Sequence, residues 1–394
     1  MTDTSVTPFK IDASDAALED LRQRLRNTRW PEAETPDDWS QGIPLAYLQE
    51  VCHYWANDYD WRTREAALNR FDQFTTPLTR TLPESDDTET LNIHFIHQRS
   101  KHKNARALLM THGWPGSVVE FHKVIEPLTD PENHGGSSAD AFHVVCPSLP
   151  GYGFSDKPQK PGCGIESIAK MWNALMLRLG YSDYVAQGGD WGSAVTTAIG
   201  LQNAGACKAI HVNMPNAGAT KAARKNPDAA DKHALERAMF YQQWDSGYSK
   251  QQSTRPQTLG YALVDSPSGQ AGWIMEKFYA WTDCNGHPEN ALTRDELLDN
   301  VMLYWLPGTG ASSARLYWES FGKAFGGNAS DTVQLPTGCS IFPKEIVPTP
   351  RSWAETRYSN IKYWNKTNKG GHFAAFEQPQ IFVEELRACF SQVL

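Results

Sequence analysis

The chain has 394 residues, 40% hydrophobic and 21% charged, enough apolar material for a sizeable core and a composition that excludes an intrinsically disordered protein. Asp and Glu (45) outnumber Lys and Arg (37) for a formal net charge of −8, and without a basic block this argues against a nucleic acid or an anionic membrane as partner. No apolar run approaches the ~18 residues of a membrane span, the start MTDTSVTPFK lacks the basic and apolar parts of a secretory signal, and seven scattered Cys without CxxC spacing suit reduced thiols, so a soluble, cytoplasmic protein is expected.

Residues 14–30 predict an amphipathic helix, with Ser14 as N-cap, Leu18, Leu21 and Leu25 on one face and Pro31 ending it. A second helical region spans 44–71, so residues 1–90 read as a helical leader with little strand signal. From Leu91 the pattern changes. LNIHFIHQ (91–98), ALLMTHG (107–113), FHVVCPSLPG (142–151), YVAQGGD (184–190) and KAIHVNM (208–214) predict strands, separated by amphipathic stretches such as 165–180. Short apolar strands alternating with helices imply a mostly parallel sheet covered on both faces, an α/β fold. Residues 91–215 are the first part of that core. Residues 216–325, helix-rich and crowded with Trp and Tyr, read as an inserted helical lid. The core resumes over 326–394, with strands at 339–345 and 361–368 and a last helix from about Pro379. There is no internal repeat.

Four short motifs carry chemistry. Gly188-Gly189-Asp190-Trp191-Gly192 joins a predicted strand to a predicted helix. Small–x–nucleophile–x–small at such a turn is a nucleophile elbow, whose small residues let the chain turn sharply and expose the central side chain at the C-terminal edge of the sheet. An Asp N-cap is the ordinary alternative for Asp190. Upstream, His112-Gly113-Trp114-Pro115-Gly116 ends a strand where an oxyanion hole of backbone N–H groups belongs. Trp114 and Trp191 are the expected donors, and His112, with Gly113 and Pro115, is expected to brace the loop. Gly370-Gly371-His372-Phe373 follows the last strand, where the base belongs, and Phe342-Pro343-Lys344-Glu345 follows the strand before it. Glu345 can hold the imidazole in one tautomer, although a solvated surface Glu is its bland alternative. The order Asp190, Glu345, His372 is nucleophile, acid, base.

The central Asp narrows the reaction. A Ser attacking an epoxide carbon would leave an ether that water cannot readily cleave. A carboxylate leaves an ester, whose carbonyl a His-activated water can attack. Asp190 therefore points to attack at saturated carbon, in an epoxide or an alkyl halide, and away from esterase or protease chemistry.

HGWPG, GGDWGS and FPKE…GGHFAAFE resemble, in order, the motifs of epoxide hydrolases of the α/β-hydrolase fold, in their microsomal-type branch, and PFKIDASDAALEDLRQRLRNTRWP with YDWR resembles that family's N-terminal domain. The resemblance runs from about residue 8 to residue 390. It implies a cofactor-independent enzyme that binds no metal and turns a small-molecule epoxide and water into a vicinal diol. It also implies two lid tyrosines that protonate the epoxide oxygen. GYSKQQSTRP and SSARLYWES match those segments, making Tyr248 and Tyr317 the candidates. A haloalkane dehalogenase, an enzyme dedicated to one biosynthetic epoxide and a non-catalytic binding protein of the same fold are the alternatives. A homodimer is compatible with the sequence. Gly151-Tyr152-Gly153 lacks the third Gly of a dinucleotide loop, no HExxH motif is present, and the sequons at Asn328 and Asn365 read as chance matches.

Overall fold

A computed structural model describes residues 3–325 and 331–393. Its strands are β1 (Thr7–Phe9), β2 (Gln73–Thr81), β3 (Thr88–Gln98), β4 (Arg106–Thr111), β5 (Phe142–Pro147), β6 (Tyr184–Gly188), β7 (Cys207–Val212), β8 (Thr337–Ile341) and β9 (Ile361–Lys366). They form one sheet in the order β1-β2-β3-β5-β4-β6-β7-β8-β9. Pairing is antiparallel from β1 to β5 and parallel from β5 through β9. The parallel strands are short apolar runs buried on both faces, as β6 is throughout. Helix Ile165–Arg178 covers one side of the sheet with Ile168, Ala169, Trp172, Leu175 and Met176, apolar residues at helical spacing.

This topology dictates where a site can form. The chain leaves β4 toward β5 on one side and returns to β6 on the other, so the strand order reverses at β4. In open α/β sheets, the crevice beyond the strand ends at such a reversal is where ligands bind. Thr111 of β4 lies in register with Gly188 of β6, so the segments that follow, 112–116 and 189–192, emerge side by side. Farther along the same edge, a bridge between Lys344 and Gly371 aligns the loops after β8 and β9.

The leader holds helix Asp15–Arg26, capped by Ser14 Oγ and burying Leu18, Leu21 and Leu25 as predicted. The second helical region is divided into Leu45–Asn57 and Trp61–Leu68, the latter started by the Asp60 side chain, which accepts from the N–H groups of Arg62 and Thr63. The expectation of little strand in the leader is corrected: it also supplies β1 and β2, and residue 90 lies inside β3. The reason is local. The buried positions of β2 are Gln73, Thr76, Leu78 and Arg80, three of them polar and not all on one alternation, which conceals the strand pattern. Arg80 is tolerated there because Glu89 on β3 accepts its Nε–H at 2.8 Å and the Lys160 and Pro161 carbonyls accept its other donors.

Between β7 and β8 the segment read above as a lid is helical from Lys221–Lys225 to Gly310–Phe325. Its junction with the second part of the core, and the sequon at Asn328, lie outside the described residues. The Asn365 amide, in β9, donates to Glu385 Oε1 at 2.6 Å. Among the described residues no helix is long and apolar enough to cross a membrane.

Candidate active site

β6 runs through Gly189 into helix Asp190–Gln202, and Asp190 sits at φ 49°, in the left-handed region. A non-glycine residue held there stores about 1–3 kcal/mol of backbone strain. The turn closes against the end of β4: a Cβ on Gly192 would lie 1.8 Å from the Thr111 carbonyl oxygen, so only glycine fits. The Asp190 carboxylate is thereby presented to the HGWPG loop, where Trp114 N–H donates to its Oδ1 at 2.8 Å. The approach is close enough that a Cβ on Gly113 would stand 2.1 Å from that oxygen.

The loop is held from two sides. His112 is buried, its Nδ1 lies 2.9 Å from the Gly113 carbonyl and its Nε2 accepts from Leu149 N–H at 3.2 Å. Those partners require the proton on Nδ1, and burial lowers the ring's pKa to about 4, so His112 is neutral. From the lid, helix Arg294–Trp305 contributes Asn300, whose amide donates to the Pro115 carbonyl, and Tyr304, whose hydroxyl donates to the Gly116 carbonyl, both at 2.7 Å.

His372 lies between two carboxylates. Its Nδ1 is 2.6 Å from Glu345 Oε1 and its Nε2 is 3.2 Å from Asp190 Oδ2. Glu345 is 1% exposed, which removes the surface-residue alternative. Its Oε1 also accepts the Ile346 N–H at 2.7 Å. Burial opposes charge on the imidazole, but Glu345 and Asp190 outweigh it and hold the His372 pKa well above its ordinary value.

Helix Gly247–Thr254 brings Tyr248, and helix Gly310–Phe325 brings Tyr317, to the cavity that Asp190 lines. Tyr248 stacks on Trp114 (centroids 4.9 Å apart, planes 7°), and Tyr317 packs edge-on to Trp191 at 4.8 Å. The tyrosine rings themselves are 5.7 Å apart. Burial, reinforced by neighbouring ionisable groups including Asp190, pushes both phenols well above their ordinary range, which keeps them protonated. Trp191 is fully buried, and among the described residues its N–H makes no hydrogen bond to Asp190. Asp190, Tyr248 and Tyr317 open together onto a cavity of about 830 Å³ walled partly by Met214, Leu235 and Phe321, a size typical of small-molecule sites.

Two neighbours were not singled out from the sequence. Tyr241, at the start of a π-helical turn (Tyr241–Asp245), places its hydroxyl 3.1 Å from that of Tyr248 and donates to Ser249 Oγ. No helical spacing could have linked it to Tyr248, because the helical run breaks at Ser246 between the π-helical turn and the helix that carries Tyr248. Trp281 packs against the His372 ring at 5.0 Å, and its carbonyl accepts the His372 N–H at 2.9 Å. Asp245 accepts from Trp281 Nε1 (2.6 Å) and pairs with buried Lys277 (2.5 Å). No short motif announces these long-range contacts.

Residues 6–121 match the family model described as the epoxide hydrolase N terminus, and residues 106–259 match that of the alpha/beta hydrolase fold. A protein of Stigmatella aurantiaca (strain DW4/3-1), provisionally named an epoxide hydrolase, is 54% identical over 98% of this chain and 85% of its own length. Epoxide hydrolase 1 of Sus scrofa is 36% identical, over 98% of this chain and 88% of its own. The crystal structure of juvenile hormone epoxide hydrolase from the silkworm Bombyx mori superposes with a TM-score of 0.88 at 31% identity, covering 99% of this chain and 95% of that one.

Proposed function

From the premise that the chain belongs to the epoxide hydrolases of the α/β-hydrolase fold, we propose that it opens epoxides through an ester on Asp190, later cleaved by water that His372 and Glu345 activate. The observation that carries this reading is the position of His372, 2.6 Å from a buried Glu345 and 3.2 Å from Asp190. Trp114 N–H occupies Oδ1, leaving Oδ2 as the attacking atom. As Oδ2 bonds to a ring carbon and the carbon–oxygen bond breaks, Tyr248 or Tyr317 gives the departing oxygen a proton. The ester oxygen left at Oδ1 becomes an oxyanion when water attacks Cγ, and Trp114 N–H, with Trp191 N–H as the second expected donor, receives it. Collapse restores the Asp190 carboxylate and frees the diol, and the proton taken up by His372 returns to the phenolate.

The electrostatics link the two halves. Before alkylation His372 has two carboxylates to favour its charge. The ester neutralises Asp190, so one of those supports disappears and the imidazole more readily assumes the neutral form that can accept a proton from water. Small-molecule epoxide and water are the proposed reactants, with no cofactor, metal or nucleic acid, in a soluble cytoplasmic protein. The cavity size and its apolar wall favour lipophilic epoxides. The two buried phenols beside Asp190 favour an epoxide over a halide, since a departing alkoxide needs a proton and a halide does not. Purified protein supplied with aryl and alkyl epoxides in ¹⁸O-water is expected to yield vicinal diols, unlabelled in the first turnover, when the oxygen is Asp190 Oδ2, and labelled in later ones. Halide release from haloalkanes without any diol from epoxides would move the assignment to the dehalogenases.

The pH dependence follows with a definite sign. Ester hydrolysis needs neutral His372, so its rate falls as pH drops through the His372 pKa. Alkylation needs protonated tyrosines, and because both phenols are raised, it is expected to persist past the ordinary phenol value of ~10. The overall profile is a bell with its alkaline limb displaced upward. Rapid-quench rates of the two steps across pH check this, and a hydrolysis rate independent of pH on the acid side would remove His372 from the role.

Tyr241→Phe removes the hydroxyl beside Tyr248 and leaves its ring. Loss of one hydrogen bond, about 1 kcal/mol, is expected to slow alkylation about fivefold and spare ester hydrolysis. Single-turnover kinetics with an aryl epoxide distinguishes the two steps.

A further inference from the structure

A second, much smaller cavity of about 20 Å³ lies beneath the nucleophile, walled in part by Thr111, Glu120, Gln187, Asp190 and His372. Two buried polar atoms of these lining residues, Thr111 Oγ1 and Gln187 Oε1, have no hydrogen-bond partner among the described residues, and His372 Nε2 faces only Asp190 Oδ2, at 3.2 Å. A space that size admits one water, and its polar lining favours water over any apolar occupant. Gln187 is fixed in orientation, because its amide N–H donates to Asn213 Oδ1 at 2.7 Å, which leaves its oxygen free.

Glu120 is the group in this wall that neither the sequence motifs nor the mechanism has used. It lies on the short 3₁₀ turn Val118–Phe121 that follows the HGWPG loop. Its carboxyl folds back under that loop into the space a side chain at position 116 would fill: a Cβ on Gly116 would be 1.5 Å from Glu120 Oε1. Glycine at 116 thus makes room for a carboxyl from four residues downstream.

We propose that this cavity seats the water that cleaves the ester, and that Glu120 is a positioning residue holding that water between His372 Nε2 and Asp190 Cγ. The proposal rests on the ester mechanism given above. One water O–H passes its proton to His372 Nε2, the oxygen bonds to Cγ, and the second O–H donates to the Glu120 carbonyl oxygen, which gains and loses no proton. Burial, with nearby Asp190 adding to it and His372 opposing it, raises the Glu120 pKa to about 8. At neutral pH the group is therefore mostly an uncharged acid, which adds no third negative charge beside Glu345 and Asp190.

The test is a comparison of Glu120→Gln and Glu120→Leu in the full chain, with alkylation and hydrolysis resolved by rapid quench and intact mass. Glutamine keeps a carbonyl acceptor at this position and leucine does not. Glu120→Leu is expected to alkylate within about twofold of the unaltered protein but to hydrolyse the ester about 100-fold more slowly, so that the adduct accumulates during turnover. Glu120→Gln is expected to restore most of the hydrolysis rate. Wild-type hydrolysis in Glu120→Leu, or an equal loss of both steps in the two variants, would overturn the proposal. Gln187→Leu, on the same cavity wall, offers an independent reading should the Glu120 variants not fold: selective slowing of hydrolysis supports the water seat, and unchanged hydrolysis overturns it. Failure of the underlying mechanism is distinguishable, because then no epoxide adduct forms even when His372 itself is replaced.

Discussion

His372→Gln is expected to convert the protein into a trap for its own intermediate. Glutamine preserves much of the side chain's bulk but cannot take a proton from water, so alkylation proceeds and hydrolysis stalls. Removal of a general base costs up to about 10⁴-fold, and turnover should fall by about that factor. With a panel of aryl and alkyl epoxides, intact mass should rise by the full mass of the epoxide, because ring opening is an addition. The gain should vanish when Asp190→Asn is added. A gain equal to a haloalkane less its halide would redirect the assignment, and no gain from any epoxide would overturn the ester mechanism. The geometry behind this expectation is the 3.2 Å between His372 Nε2 and Asp190 Oδ2.

Gly113→Ala is expected to stop the reaction one step earlier. Its new methyl would lie 2.1 Å from Asp190 Oδ1 and 2.4 Å from Asp190 Cβ. Neither contact can be relieved by a flexible side-chain end, since Asp190 is fixed by the strained elbow and Trp114 N–H by the loop. Asp190 must move, and the hydrogen bond to Oδ1 must lengthen. Loss of one oxyanion donor alone costs about 10²–10³-fold, and a misplaced nucleophile adds to that. Turnover should fall by about 10³-fold or more. In combination with His372→Gln, no adduct should accumulate, which distinguishes the effect from blocked hydrolysis. A thermal melt of the variant separates displacement of Asp190 from loss of fold. An adduct forming at the rate of the single His372→Gln variant would contradict the packing argument.

The elements nearest the chemistry were the most legible in the sequence. The turn at Gly188–Gly192 and the loop at His112–Gly116 are short, local and dictated by backbone demands, so their residue types betray them. The relation of Glu345 to His372 was readable as chain order, but the burial that gives the pair its electrostatic weight depends on the register of β8 and β9 and was not. β2 was hidden by Arg80 in an inward position, acceptable only because Glu89 lies opposite in the folded sheet. Glu120 and Trp281 escaped for a similar reason. Each approaches the site by folding back or across from another element, and neither stands at a spacing that a linear pattern records. Tyr241 escaped as well, because the break at Ser246 separates it from the helix of Tyr248 and leaves no single periodicity that joins them.

The carbonyl of Trp281 holding the His372 N–H carries a lesson for engineering. The proposed base is moored to the insertion that roofs the cavity, and Asp283 Oδ2 adds a second tie by accepting the Gly370 N–H at 3.1 Å. The roof is therefore not an interchangeable module. A chimera that exchanges residues 216–280 for those of a relative retains both moorings and alters mainly the cavity wall, whereas one whose crossover lies beyond 283 also replaces the anchorage of the imidazole. Crossover points, more than the identity of the donor, should govern which hybrids keep their hydrolytic step.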